Sequence, residues 1–311
     1  MTGPAPINGR LARHGARMVD AIVPGAVFAL PDECVCRFPA QYPWPGEVFA
    51  PVWEGSKQSV PCVAVTAPGV PMGPPRDCER VLLFHGNGET MEGARPLAMK
   101  LAELCKAYVF IVEYPGYWCP DEGEPGPRSA AGTYSNASLA AQLLAKYVGP
   151  THLVGYSLGT TLAVRVAKEM GTPFVQSLTL IAPFCSAMGV AATSPAAGIP
   201  AGMRPFIALM KPLFSGYDVF CADRDAPYVK GVRSAVVYGD RDKVVSNSQG
   251  ARMAKLLGAK ELVVEGQNHT TIVMHDEAIG FMVHNITGRE SASPAKAEDA
   301  WCPYKNGRFL I

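Results

Sequence analysis

The sequence predicts an α/β fold: a mostly parallel central sheet covered by helices on both faces, with an apolar insertion late in the chain. Three observations carry this prediction. Short, continuously apolar runs recur, as in Val81-Leu82-Leu83-Phe84, and such runs suit strands buried on both faces. Segments with apolar residues at helical spacing lie between them, such as Leu158, Leu162, Val166 and Met170. The two kinds of segment alternate over roughly 200 residues, which is the signature of a doubly covered parallel sheet.

The elements follow in order. Residues 1–60 are irregular and Pro-rich, with turns at Tyr42-Pro43-Trp44-Pro45-Gly46, and are expected to pack on the core. Val60–Ala67 reads as a strand and Val81–Phe84 as a buried one. Ala94–Lys106 reads as a helix with Leu97, Leu101, Leu104 and Cys105 on one face. Tyr108–Glu113 is a second buried strand, ended by Pro115-Gly116 and a Gly/Pro-rich loop at 119–128. Helix Ser138–Tyr147, strand Thr151–Gly155 and helix Ser157–Met170 come next. Strands Ser177–Ala182 and Arg233–Tyr238 flank the insertion at about 183–228. Helix Ser246–Leu257, strand Glu261–Val264 and helix Ile272–Asn285 complete a domain over 61–287. The tail 288–311 starts polar and ends in Tyr304, Phe309, Leu310 and Ile311, which suggests that it docks. No internal repeat is found.

Composition narrows the function. The 31 Gly and 28 Pro are about a fifth of 311 residues, against an ordinary ~12%, so loops are plentiful. Charged residues make 18% and hydrophobic ones 48%, the reverse of a disordered chain. A net charge of +1 gives no support to nucleic-acid binding, which needs clustered Lys and Arg. The nine cysteines are irregularly spaced without a Cys-x-x-Cys pair, so neither a zinc knuckle nor a disulfide framework is indicated. Several lie in apolar runs, as in reducing compartments, and no signal order opens the chain. A cytoplasmic protein is therefore expected. Cys34 and Cys36, beside the apolar Ala21–Leu30, leave peripheral membrane attachment through lipidation as the lesser alternative to a buried N-terminal element. No charge occurs between Glu169 and Arg204, but four prolines interrupt that stretch. A membrane-spanning helix of ~20 residues would not carry them; a buried strand followed by an apolar lid would.

Chemistry enters at Gly155-Tyr156-Ser157-Leu158-Gly159. An apolar strand runs into this G-x-S-x-G motif and an amphipathic helix leaves it, the context of a strained turn that exposes a nucleophilic serine. A plain Gly-rich turn with an exposed serine is the bland alternative. A serine hydroxyl needs a base to take its proton. His269, in the small polar loop Gly266–Thr270 after a strand, stands where a base would be. His275 and His284 read as ordinary helix residues, and His14 has no chemical context. Asp240 and Asp242 follow the strand ending at Tyr238, and either could orient the histidine. Asp242 is preferred because it reaches further into the loop. An oxyanion needs preorganised N–H donors. Leu158 N–H is one candidate, and the loop His85-Gly86-Asn87-Gly88-Glu89 supplies another at Asn87, with Gly88 next. His85 itself reads as a brace of that loop.

Together, Phe84–Gly88, Glu113-Tyr114-Pro115-Gly116-Tyr117, the Ser157 motif, Gly239–Val245 and His269 resemble the α/β-hydrolase superfamily over about residues 78–285. The likeness is to the branch with an HGN oxyanion loop and a YPGYG segment, which includes serine esterases, depalmitoylating thioesterases and serine peptidase-like members. The resemblance implies an α/β-hydrolase fold, with Ser157 as nucleophile, Asp242 as acid, His269 as base, and Asn87 and Leu158 at the oxyanion hole. Trp118 stands where the branch has its last glycine. The implied activity is hydrolysis of an ester or thioester of a small-molecule, lipidated or acylated substrate. No His-Glu-x-x-His cluster and no Gly-rich nucleotide loop occur, so no metal and no cofactor are expected. Action on short peptides, or binding without catalysis, are the alternatives. The insertion would form a cap suited to an acyl chain, or simply pack on the core.

Overall fold

The computed structural model describes residues 62–66, 78–115, 117–119, 129–147, 149–194, 200–210 and 218–289, with short strands at 36–37, 48–49, 304–305 and 308–309. The apolar runs become the strands β1 (Val48–Phe49), β2 (Cys62–Val65), β3 (Glu79–Phe84), β4 (Ala107–Val112), β5 (Thr151–Tyr156), β6 (Val175–Ile181), β7 (Arg233–Gly239) and β8 (Lys260–Val264). They form one sheet in the order β8-β7-β6-β5-β3-β4-β2-β1. Every pair from β8 to β4 is parallel, while β2 and β1 join antiparallel. Phe84 lies opposite both Val112 and Gly155, so three central strands end level and open their loops at one edge.

Helices α1 (Met91–Cys105), α2 (Ala130–Tyr147), α3 (Leu158–Met170), α4 (Ala187–Thr193), α5 (Arg204–Met210), α6 (Ala222–Asp225), α7 (Asn247–Leu257) and α8 (Asp276–Thr287) complete the fold. Alternate strand residues point to opposite faces. Leu82, Phe84, Leu153 and Leu180 therefore pack on one side with α2, α3 and α7. Val81, Leu83, Val154 and Ile181 pack on the other with α1 and α8.

Element boundaries differ from the sequence reading for identifiable reasons. α1 starts at Met91 because Thr90 caps it, its hydroxyl accepting the Gly93 N–H at 3.4 Å. Leu104, expected on the buried face, is 40% exposed at the rim of the stripe. α2 starts eight residues before its expected position. Ser129 accepts the Gly132 N–H at 3.0 Å, and the buried face is built from Thr133, Ala137, Ala140 and Ala141, whose small side chains give a faint hydrophobic period. The helix expected over Ile272–Asn285 divides into a 3₁₀ turn, Thr271–Met274, and α8. His275, expected inside it, sits extended at the joint, with Asp276 and Glu277 favourably placed at the start of α8.

The insertion between β6 and β7 carries α4, a 3₁₀ turn at Ala201–Met203, α5 and α6. Buried Gln249 of α7 fastens its first part, accepting Cys185 N–H at 3.0 Å and donating to the Thr193 hydroxyl at 2.8 Å. Asp225 fastens its last part, facing Arg165 at 2.5 Å and Lys168 at 2.7 Å. Met203, Phe206 and Leu209 are 53, 59 and 73% exposed. Cys36–Arg37 pairs in parallel with Trp118–Cys119. The expectations for Cys34, the Cys36 side chain, the rest of the N-terminal segment and the docked tail fall outside the described residues. Among those described, no helix is long and apolar enough to cross a membrane.

Candidate active site

β5 ends at Tyr156 and α3 begins at Leu158, which leaves Ser157 alone to make the turn. Its backbone adopts φ 50° and ψ −114°, a strained conformation for a residue with a side chain. The Ser157 N–H donates to Ile181 O at 2.9 Å and helps hold it there. The flanking glycines are a steric requirement. A Cβ on Gly159 would run into the Phe84 carbonyl, and one on Gly155 would lie 2.5 Å from Gly159 O.

His269 arrives from the neighbouring loop after β8. Gly239 at the end of β7 has no room for a Cβ against Gln267 O, so the loop passes close over the strand end. Asn268 Oδ1 accepts the N–H groups of Thr270 and Thr271 at 2.9 and 3.0 Å. Tyr156, beside the serine, donates its hydroxyl to His269 O at 3.0 Å. The imidazole thus meets Ser157 Oγ at 2.9 Å through Nε2 and Asp242 Oδ2 at 2.7 Å through Nδ1. The other Asp242 oxygen accepts Val244 and Val245 N–H, both at 2.8 Å, which fixes the carboxylate. In this geometry Nδ1–H donates to Asp242 and Nε2 is free to accept the serine proton.

The two acids considered in the sequence part company here. Asp240 Oδ1 accepts Gly266 N–H at 2.6 Å and braces the loop, whereas Asp242 faces the imidazole. His275 occupies the N-cap position of α8 without a side-chain capping bond, and His284 near its end has Nδ1 3.2 Å from Arg289 O. His14 is outside the described residues.

Leu158 opens α3, so its N–H has no intrahelical partner, and the positive end of the helix dipole lies at the serine. The loop after β3 packs directly against this turn. A Cβ on Gly86 would lie 2.9 Å from the Tyr156 ring, and Tyr117 donates its hydroxyl to Asn87 Oδ1 at 2.5 Å. The geometry therefore brings Ser157, Asp242, His269, Asn87 and Leu158 to one edge of the sheet. Gly88, with φ 75°, makes the turn after Asn87.

The sequence reading did not single out the carboxylates beneath that loop. Glu113 is fully buried at the end of β4 and meets His85 Nε2 at 2.9 Å. It also accepts Met91 and Tyr114 N–H at 3.0 Å each. Glu89 accepts Gly86 N–H at 2.8 Å, and burial raises its carboxyl above the ordinary range despite the opposing charge of His85. The signal was a charged residue ending an otherwise apolar run. A second Ser–His–carboxylate row lies at the opposite sheet edge: His152 meets Ser177 Oγ at 2.8 Å and Glu79 Oε2 at 3.0 Å.

A cleft of about 780 Å³ lined by Tyr134, Arg165, Lys168 and Asp225 opens elsewhere, along α2 and α3, and contains none of Ser157, Asp242 or His269. Among the described residues, no three His, Cys, Asp or Glu side chains are grouped to hold a metal ion.

Solved structures share this architecture. An esterase from Pyrobaculum calidifontis aligns with 94% of this chain and 96% of its own, at TM-score 0.56 and 18% identity. A thermostable carboxylesterase cloned from a metagenomic library aligns with 92% and 99%, at 0.55 and 16%. A thioesterase domain from the curacin biosynthetic pathway aligns with 78% and 98%, at 0.51 and 16%. At these identities the likeness is one of fold. No curated protein sequence gives a significant match. The model of the alpha/beta hydrolase family matches residues 81–282, on the strands and loops that carry this site. The chain belongs to the alpha/beta hydrolase family.

Proposed function

We propose that the protein is a serine hydrolase that cleaves acyl esters or thioesters through a covalent acyl-enzyme. The observation that carries this reading is the row Ser157 Oγ–His269–Asp242, at 2.9 and 2.7 Å, on the strained turn that opens α3. His269 takes the Ser157 proton as the hydroxyl attacks the acyl carbonyl, and Asp242 stabilises the resulting imidazolium. The N–H groups of Leu158 and Asn87 receive the developing oxyanion. The imidazolium then protonates the leaving alcohol or thiol. Water, deprotonated by His269, releases the acid and restores Ser157.

We further infer that the insertion at about 183–228 caps this site and favours an apolar acyl group. Two facts support this reading. Ser194 Oγ lies 3.3 Å from Lys243 O, beside the Asp242 loop, and α5 with the preceding turn presents Met203, Phe206 and Leu209. The esterase and thioesterase structures of like fold are consistent with such substrates.

The test is covalent labelling by a fluorophosphonate probe. Wild-type protein should be labelled and Ser157→Ala should not. A folded wild type that stays unlabelled would overturn the reading. Esters and thioesters of graded chain length, assayed beside short peptide amides, then define the substrate. A preference for amides would replace the esterase assignment with a peptidase one.

A further inference from the structure

Among the described residues three buried histidines face carboxylates, and the partner of the second ring nitrogen separates them. For His269 and His152 that partner is a serine hydroxyl, at 2.9 and 2.8 Å, which can donate a proton to a neutral ring. For His85 it is the Gly86 carbonyl, 3.0 Å from Nδ1, which can only accept. His85 Nε2 faces Glu113 Oε1 at 2.9 Å, and the Glu113 carboxylate already accepts two backbone N–H groups. Both ring contacts call for a donor from His85, so both nitrogens carry hydrogen. We propose that His85 is held as a buried imidazolium and is a positioning residue for the oxyanion loop, fixing the peptide plane that presents Asn87 N–H. The proposal rests on the reading of Asn87 as an oxyanion donor.

The mechanical link is the planarity of the peptide bond. The Gly86 carbonyl and the Asn87 N–H belong to one trans peptide unit, in which they lie in a plane and point in opposite directions. A charged donor that grips the carbonyl therefore aims the N–H. Neighbouring groups lock the adjoining units. Glu89 takes Gly86 N–H at 2.8 Å, Tyr114 donates its hydroxyl to His85 O at 2.8 Å, and Tyr117 holds Asn87 Oδ1. The Tyr114 ring stacks on the imidazole with centroids 4.0 Å apart. Without these contacts a loop with glycine at 86 and 88 would be free to turn its peptide planes.

The groups facing the His85 ring are the Glu113 and Glu89 carboxyls and the Tyr114 and Tyr117 phenols. Burial alone would push the imidazole pKa down. The charge and hydrogen bond of Glu113, the charge of Glu89 and the Gly86 carbonyl outweigh burial and raise it above the ordinary histidine value. These interactions favour the doubly protonated ring that its two contacts call for.

The experiment is nitrogen-15 NMR on histidine-labelled wild-type protein, with the His85 ring assigned through bonds, combined with steady-state kinetics on the ester preferred in the substrate panel. Two protonated ring nitrogens on His85 at about pH 7.5 are expected, well above the ordinary ~6.5. A neutral ring there would overturn the proposal. Glu113→Gln should lose one ring proton and ~10–100-fold in kcat, with KM held within about twofold, the pattern of a loss confined to the transition state. Glu113→Asp, the milder change, should show a smaller loss of the same kind. Folded variants with full kcat would overturn the positioning role. Absence of phosphonate labelling at Ser157 would instead overturn the hydrolase reading while leaving the state of His85 measurable.

Discussion

Opposite edges of one sheet each carry a serine, a histidine and a carboxylate in a hydrogen-bonded row, and the proposed function assigns chemistry to only one of them. Ser157, His269 and Asp242 follow the carboxyl ends of β5, β8 and β7. Ser177, His152 and Glu79 lie at the amino ends of β6, β5 and β3. The distances are nearly the same, 2.9 and 2.7 Å against 2.8 and 3.0 Å. The backbones are not. Ser157 turns at φ 50° into the start of a helix, where free amides and the helix dipole meet developing negative charge. Ser177 sits within β6, fully buried, where the pairing with β5 shifts register at His152, with no helix start beside it. Side-chain spacing alone is therefore a poor marker of a catalytic set. On the proposed reading the strand end supplies the strain, the access and the oxyanion donors, in keeping with ligand binding at carboxyl ends of parallel strands.

Replacing the carboxylates separates the rows most sharply. Asp242→Asn should lower kcat by about 10³–10⁴-fold with the fold intact, because the amide favours the wrong imidazole tautomer. Glu79→Gln should leave kcat within about twofold, as expected for a substitution remote from the chemistry. Steady-state kinetics on both variants checks this, and equal losses would erase the distinction. The next effect is on the backbone. Gly159→Ala places a Cβ into the Phe84 carbonyl, so the turn and the oxyanion loop cannot keep their contact. A loss of about 3 kcal/mol or more is expected in urea unfolding. A variant as stable as wild type would show that the turn is not tightly packed.

The sequence made the first row legible and the second invisible, for a physical reason. Ser157 is announced locally, since the steric needs of its turn dictate Gly155 and Gly159. His269 and Asp242 are legible from their places just after apolar strands. Which of Asp240 and Asp242 faces the imidazole depends on how the loop folds over Gly266, and no local pattern records that. Ser177, His152 and Glu79 meet through strand register across β6, β5 and β3, a long-range property without a motif. The same holds for Glu113 and Glu89 under the oxyanion loop. In the fold, the strands were legible because apolar residues dominate each of them. The start of α2 was not, because its buried face is alanine and threonine.

The smaller effects test the amino-edge row as a structural device. Ser177→Ala leaves His152 Nδ1 buried without its 2.8 Å partner and should cost about 1–2 kcal/mol, with Ser157 labelling unchanged. A loss of labelling would mean that the two edges are coupled. The weakest signal is in pH dependence. Burial lowers the His152 pKa below the ordinary value, against the hydrogen bond and charge of Glu79 and with a minor contribution from Arg233. The unfolded chain therefore binds the proton more readily, and stability rises with pH across this window. The contribution is fully present above the unfolded value near ~6.5 and is lost as pH falls from there toward the lower folded value. In urea titrations between about pH 7 and pH 5, His152→Gln should narrow its stability gap to wild type as the pH falls. Parallel curves would mean that His152 binds its proton equally in both states, and a gap that widens as the pH falls would make the amino-edge row an ion pair of the kind proposed for His85 instead of a neutral hydrogen-bonded one.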